Sequence, residues 1–460
     1  MEFTHLDIYG TFIDTPASGE LRIREDTWVR VDIASGTIVS ISTEMPSEPP
    51  GRARKKVVRM PPEAIVVPGF VDCHVHAPQY KQLGTKTDVP LMEWLEKYTF
   101  PAEAAFSSTE HAEKVYTQLI RRLLRNGTTT ACYFGSNHLA ASLVLADVCG
   151  KFGQRALVGK NCSDQLVPDF YVETTEGSLK DTESFIIEVR KKFGATEDSL
   201  VMPVVTPRFV PTCSVGLLKG LGELAHKYGV HVQTHAAESV DQVALVRSQF
   251  PVLRRDVTIL STVGLLTPKT VLAHCTHLYD AEASALSAIG ASIASCPYSN
   301  MLFARAVLPV NRFSKLGVKI GLGTDIAGGH SANMLSAVRL AALVSRIEGF
   351  RPPKERAGDP FADEEEEERK REDEPVEWKQ AFYLGTRGGA LALGLDRVGA
   401  FDVGMKWDAV EVDLSWEEEE EEQEGSESTQ EDFERWVCGH GGEASVRKVW
   451  VDGKEVFAIG

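Results

Sequence analysis

The sequence predicts an α/β fold, a (β/α)8 barrel of the TIM type joined to a small β-sandwich domain built from both chain ends. Three observations carry this expectation. Through the middle of the chain, eight short apolar or Thr-rich runs alternate with helical stretches, the pattern of parallel strands buried on both faces. Both ends are instead rich in short strands and turns, as expected of antiparallel sheets. The length of 460 residues exceeds one average domain and suits a large barrel with a smaller companion.

Residues 1–66 read as the N-terminal part of the sandwich, with strands at 5–11, 21–23, 27–33 and 37–42 separated by turns at 34–36 and 46–51. Residues 67–396 read as the barrel. Its strands are expected at 67–76, 128–134, 155–160, 200–206, 230–235, 270–274, 291–295 and 318–323. Helices fall between them, for example at 112–124 and 215–228. In the second, Leu217, Leu218, Leu221, Leu224 and Ala225 form one apolar stripe, and Gly229 suits a C-terminal cap. Residues 397–460 complete the sandwich with strands at 408–413 and 446–458, the latter folded at Asp452-Gly453, a hairpin signal. Two acidic inserts, 351–375 and 415–430, have charge runs that cannot bury apolar surface and read as solvated, disordered segments.

The formal net charge of -17, with 66 acidic against 49 basic side chains, argues against nucleic acid as a partner, which needs a basic face. Eight cysteines, Cys73, Cys132, Cys149, Cys162, Cys213, Cys275, Cys296 and Cys438, lack C-x-x-C spacing and read as reduced thiols of a cytoplasmic protein. The start Met1-Glu2-Phe3-Thr4-His5 has no basic or apolar leader character. No apolar run approaches the ~18 residues of a membrane span.

The chemistry-bearing residues collect at the ends of four predicted strands: His74 and His76, then His235, then His274, then Asp325. Side chains two apart on a strand share a face, so His74 and His76 lie about 7 Å apart along it. A lone His-x-His is more often a pair of ordinary polar residues; His274 alone reads as a core histidine and Asp325 as a helix cap. Together, burying them without a partner would be costly, and a divalent cation offsets that cost. Imidazole with one carboxylate suits Zn2+ or Fe2+, and no cysteine stands in the set, which favours an open catalytic site over a closed structural one. Glu238, three residues past His235, is placed for general acid/base work, its alternative being a carboxylate at a helix N-terminus. His277 and His330 read as loop residues.

The motifs P-G-F-V-D-C-H-V-H at 68–76, H-A-A-E at 235–238, A-H-C at 273–275 and G-T-D at 323–325 resemble those of the metal-dependent amidohydrolase superfamily. Narrower cues resemble its guanine deaminases: H-A-P-Q-Y at 76–80, L-M-E-W-L-E-K-Y-T-F-P-A-E at 91–103, N-G-T-T-T-A-C-Y-F at 126–134, F-G-Q-R-A at 152–156, T-P-R-F at 206–209 and G-L-G-T-D-I-A-G-G at 321–329. The resemblance covers nearly the whole chain except the acidic inserts. It implies one Zn2+ per chain on His74, His76, His235 and Asp325, with His274 as a ligand or a partner of the attacking water. It further implies catalytic roles for Glu238, Asp325 and His274, and a purine pocket of Gln79, Arg208 and Phe209, with Trp94 as a further wall. The implied activity is hydrolysis of guanine to xanthine and ammonia by a homodimer. Pro78 and Tyr298 depart from the familiar pattern. The alternatives are a relative acting on 8-oxoguanine, cytosine or a triazine, which would differ at Gln79, Arg208 and Phe209, and an inactive scaffold barrel.

Overall fold

Both chain ends meet in one sheet. The first five strands are β1 (His5–Asp14), β2 (Arg22–Asp32), β3 (Thr37–Ser42), β4 (Lys55–Arg59) and β5 (Ala64–Pro68). Residues 3–49, 54–349, 373–415 and 428–459 are described by the structure, a computed structural model. The two strands expected at 21–23 and 27–33 are one, β2, because β1 is long enough to pair along it, past a register shift between Gly10 and Phe12. β1 also branches: residues from His5 to Tyr9 pair with β4, and Thr11 and Phe12 pair with β5.

The barrel consists of β6 (Phe70–His76), β7 (Thr128–Phe134), β8 (Arg155–Cys162), β9 (Val201–Pro207), β10 (His231–Ala236), β11 (Thr270–His274), β12 (Ser292–Ser295) and β13 (Lys319–Leu322). They lie side by side in chain order, every pair parallel. The ring is drawn together where His76 N donates to Ile326 O at 3.0 Å and Asp325 N donates to His74 O at 2.9 Å. The strand expected to begin at 67 begins instead at Phe70, since Val67 and Pro68 belong to β5. Gly69 makes the junction: a Cβ there would stand 2.0 Å from Thr129 Oγ1, so no larger residue fits the bend.

Helices cover the barrel as the apolar stripes demand. The Thr109–Arg125 helix begins three residues before the expected start because the Ser108 side chain accepts from His111 N, a cap the apolar pattern does not register. The Val215–Tyr228 helix has Ser214 as its N-cap, buries Leu217, Leu218, Leu221 and Ala225, and ends at Gly229 with φ 58°, a left-handed cap suited to glycine.

The chain returns through β14 (Ala409–Asp413), β15 (Val446–Val451) and β16 (Lys454–Ala458), giving the sheet order β16-β15-β14-β5-β1-β2-β3. Asp452 and Gly453 both have positive φ, 50° and 78°, as a two-residue hairpin turn requires. Phe12, Phe401, Trp407 and Trp450 pack in the core of this sheet. The buried Arg155 on β8 joins barrel to sheet through Asp408 at 2.7 Å and Asp452 at 3.5 Å.

Most of each acidic insert lies outside the described residues, and the described ends, 373–375 and 428–430, are largely exposed yet hydrogen-bonded to the fold. Asp373 accepts from Asn311 N and Arg312 N at 3.2 and 2.8 Å, closing the first turn of the Val310–Lys315 helix. Ser428 caps a helix spanning Thr429–Arg435. Local hydrogen bonding, invisible to composition, thus anchors 373–375 and 428–430. Among the described residues, no helix is long and apolar enough to cross a membrane.

Candidate active site

The five predicted ligands converge above the C-terminal ends of β6, β10, β11 and β13. His76 Nε2 and His235 Nε2 stand 3.0 Å apart, while Asp325 Oδ1 lies 3.3 Å from His74 Nε2 and 3.6 Å from His76 Nε2. His74, His235 and His274 each offer a ring nitrogen within 4.8 Å of the others. All five residues are buried.

Neighbouring groups decide which ring nitrogens face inward. His235 Nδ1 meets the Arg208 carbonyl at 2.6 Å and His274 Nδ1 meets Asn300 Oδ1 at 2.9 Å. Both partners are acceptors, so each Nδ1 carries the proton and each Nε2 offers a lone pair to the centre. Burial pushes the pKa of His74, His76 and His235 down, leaving neutral imidazoles. Burial opposes the charge on Asp325, yet the His74, His274 and His76 rings around it hold its carboxyl well below the usual range. The Nε2 atoms of His74 and His274 are buried without a hydrogen-bond partner, a costly arrangement unless a cation completes it. The donor set therefore fits a divalent metal.

One feature departs from the expected ligand set. Cys296 at the end of β12 brings its sulfur within 4.8 Å of a His74 nitrogen and an Asp325 oxygen. Burial and the carboxylates of Asp325, Asp72 and Glu238 push its thiol well up, and its Sγ donates to Ala294 O at 3.8 Å. It stays a neutral thiol and adds no charge to the cluster.

The backbone is strained where these residues leave their strands. Ala237, His274, Cys275 and Asp325 have φ of 45°, 70°, 57° and 50°, a region costly for residues with a Cβ and found at functional sites. Hydrogen bonds hold these turns: Thr276 Oγ1 donates to Glu238 O at 2.7 Å, and His277 N donates to Ala237 O at 3.0 Å. The carboxylate of Glu238 stands 3.7 Å from His274 Nε2. Burial pushes its pKa above the ordinary value.

A cavity opens over the cluster, lined by Gln79, Trp94, Arg208, Phe209, Glu238 and Phe303 among others. The four predicted pocket residues all reach it. Trp94 packs on Phe303 with ring centroids 5.3 Å apart, and Arg208 lies over the Phe100 ring at 5.0 Å. His330 stacks against Tyr298 at 4.2 Å, and both are absent from the lining of this cavity.

The amidohydrolase family profile matches residues 65–456. The chain belongs to the amidohydrolase family. Its relatives include a guanine deaminase of Rattus norvegicus, 44% identical over 75% of this chain and 71% of that protein. A probable guanine deaminase of Schizosaccharomyces pombe is 36% identical over 97% of this chain and 82% of its own length. A guanine deaminase from C. acetobutylicum, solved with guanine in its active site, superimposes with a TM-score of 0.85 at 31% identity, covering 98% of this chain and all (100%) of that one.

Several groups around this amidohydrolase site escape a reading of strand ends. Glu103, 1% exposed, receives Gln79 Nε2, Tyr171 OH and Arg208 Nη1 at 2.8, 2.8 and 2.7 Å. It sits in the motif run 91–103, but the helical segment Phe100–Ala104 comes from the long β6-to-β7 connection, whose path sequence periodicity does not give. Asp72, within the first motif, accepts from Thr324 N and Thr324 Oγ1 at 2.9 and 2.5 Å and from His74 N at 3.3 Å. It clamps β6 to the loop that carries Asp325, and burial pushes its pKa up to about 7. Asn300, which orients His274, had no signal beyond its place after the seventh barrel strand.

Proposed function

We propose that the protein hydrolyses guanine to xanthine and ammonia. The observation that carries this reading is the convergence of inward-facing imidazole nitrogens and one carboxylate beneath a cavity walled by Gln79, Arg208 and Phe209. The guanine deaminases among its relatives, one with guanine bound, support the choice of ring.

In this reading one Zn2+ per chain is held by His74, His76, His235 and Asp325, with His274 beside it. Four nitrogen and oxygen donors with an open side suit catalytic zinc, and β9 ends in Thr206-Pro207, which offers no ligand for a second ion. When bound, the metal lowers the pKa of water toward neutrality and so supplies a nucleophile. Glu238 takes one proton from the attacking water and passes it to a ring nitrogen, then takes the remaining proton of that water's oxygen and passes it to the departing amine. Its raised pKa suits a group that must both accept and release a proton. Asp325, an ionised acceptor, orients the water, and His274 accepts at the same oxygen through its inward Nε2 lone pair. The reaction consumes one water and breaks the bond from the ring carbon to its exocyclic amine.

Arg208 and Gln79 hold the ring through polar atoms, and Phe209 and Trp94 cover its faces. The barrel, expected at 67–396 and beginning with β6 at Phe70, carries these residues, and the segments before it and at 397–460 form the companion β domain. The free thiols, seven of eight buried, support a cytoplasmic location; a homodimer follows from the family resemblance, and light scattering tests it.

An ultraviolet assay of purified protein with guanine, 8-oxoguanine, adenine and cytosine tests the function. Guanine should be the best substrate, with one equivalent of zinc by metal analysis. Preference for another ring, or full activity without metal, refutes the proposal.

A further inference from the structure

Gln79 and Arg208 both line the cavity, and both are tied to a residue that does not. Glu103 stands behind them, accepting from Gln79 Nε2 through Oε1 and from Arg208 Nη1 and Tyr171 OH through Oε2. On its other side, Gln79 Oε1 accepts from Ala327 N at 3.2 Å. A carboxylate paired with a guanidinium only accepts, and a backbone N–H only donates. The amide of Gln79 therefore has one satisfied orientation. Flipping it would set oxygen against oxygen at Glu103 and N–H against N–H at Ala327, leaving buried groups unpaired.

This lock matters for which base the wall admits. An unconstrained glutamine pairs readily with adenine, accepting from its amino group and donating to N7, whereas arginine pairs with the O6 and N7 acceptors of guanine. With its oxygen engaged and its nitrogen held toward Glu103, Gln79 cannot rearrange to meet an amino edge, and Arg208 has only donors to offer. We infer that Glu103 is a positioning residue that fixes the polarity of the wall, so that the pocket selects rings with an oxo edge over rings with an amino edge. This rests on the proposed function and names the specificity device of that same site. Discrimination comes as much from the rearrangement that Glu103 forbids as from the attraction the wall offers to the favoured ring.

Calorimetric titration of the purified holoenzyme with hypoxanthine and adenine isolates the edge, since neither carries a 2-amino group and they differ at position 6. The wild-type protein should bind hypoxanthine at least ~10-fold more tightly than adenine, as expected when a buried polar wall meets the wrong edge. In Glu103→Gln, which keeps shape but cannot accept from all three neighbours, that ratio should fall by at least ~10-fold. A lowered melting temperature with an unchanged ratio makes Glu103 merely structural and overturns the inference; so does equal binding of the two bases by the wild type. If Glu103→Gln does not fold, Glu103→Asp withdraws the acceptor by one methylene while keeping its charge, and the same two outcomes apply. A guanine assay on the same wild-type preparation separates the two claims: absence of turnover refutes the proposed reaction, while the binding ratio still reads the wall.

Discussion

Glu238 Oε1 lies 3.7 Å from His274 Nε2, and Asn300 fixes that ring from behind at 2.9 Å. The separation is longer than a direct hydrogen bond and short enough for one shared oxygen to touch both groups. Gln242 Oε1 accepts from Glu238 N at 3.1 Å, so the backbone of the carboxylate is also held.

Replacing Glu238 with Gln keeps this shape and removes the exchangeable proton. Turnover of guanine should fall at least ~100-fold, with zinc content unchanged by metal analysis. Loss of the metal together with activity would make Glu238 a ligand instead.

Arg208 holds two roles. It lines the cavity, and it forms a buried ion pair with Glu103 at 2.7 Å, with side chains 3% and 1% exposed. Arg208→Ala should lower catalytic efficiency about 100-fold through lost substrate contacts. It should also cost about 3–5 kcal/mol of stability, because Glu103 is left charged and buried. Adding Glu103→Gln should restore part of the melting temperature and none of the activity; kinetics and melting curves on both variants check this.

His231, at the opposite end of β10 from His235, offers a stability test remote from the site. Burial, reinforced by Lys269, pushes its pKa down to about 4. Its folded-state value lies below the ~6.5 of the unfolded chain, so the contribution is present above pH ~6.5 and is lost as pH falls toward ~4. The loss is on the order of 3 kcal/mol. His231→Gln should flatten the acid limb of the melting-temperature profile between those values, and identical profiles would refute the assignment.

The described end of the first acidic insert sets where it can be cut. Removing 353–370 and joining the ends with a short flexible linker should leave turnover and melting temperature near wild type, since the run has little apolar surface to contribute. Extending the deletion through Pro375 removes Asp373 from the Val310–Lys315 helix and should cost about 1 kcal/mol, the usual value of a lost cap. Melting curves of the two deletions compare them directly.

The fold was legible because β7, β8, β9 and β11 are buried on both faces and read as short, largely apolar or Thr-rich runs, as a covered parallel sheet requires. The metal cluster was legible for a related reason: a barrel gathers the ends of its strands, so His74, His235, His274 and Asp325 point to one rim whatever their spacing in the chain. Glu103 and Tyr171 were not legible as partners, since both come from connections whose route depends on tertiary packing. The nearness of Cys296 was hidden likewise, because it depends on how the residue after β12 packs against β6 and Asp325. Asp373 and Ser428 were hidden by composition, which averages a capping side chain into an acidic run.

The junction at Gly69 has a consequence for the making of the protein. β6, which carries His74 and His76, continues directly from β5, and β5 finds its antiparallel partner only in β14, where Val66 pairs with Glu411. During translation, the strand bearing the first two histidines is made before the rest of the barrel, while β14, the antiparallel neighbour of β5, is made only after all eight barrel strands. Such distant pairing makes assembly slow and leaves strand edges open in the meantime. A nascent chain stalled before residue 409 would hold every proposed zinc donor yet lack the strand that braces their foundation.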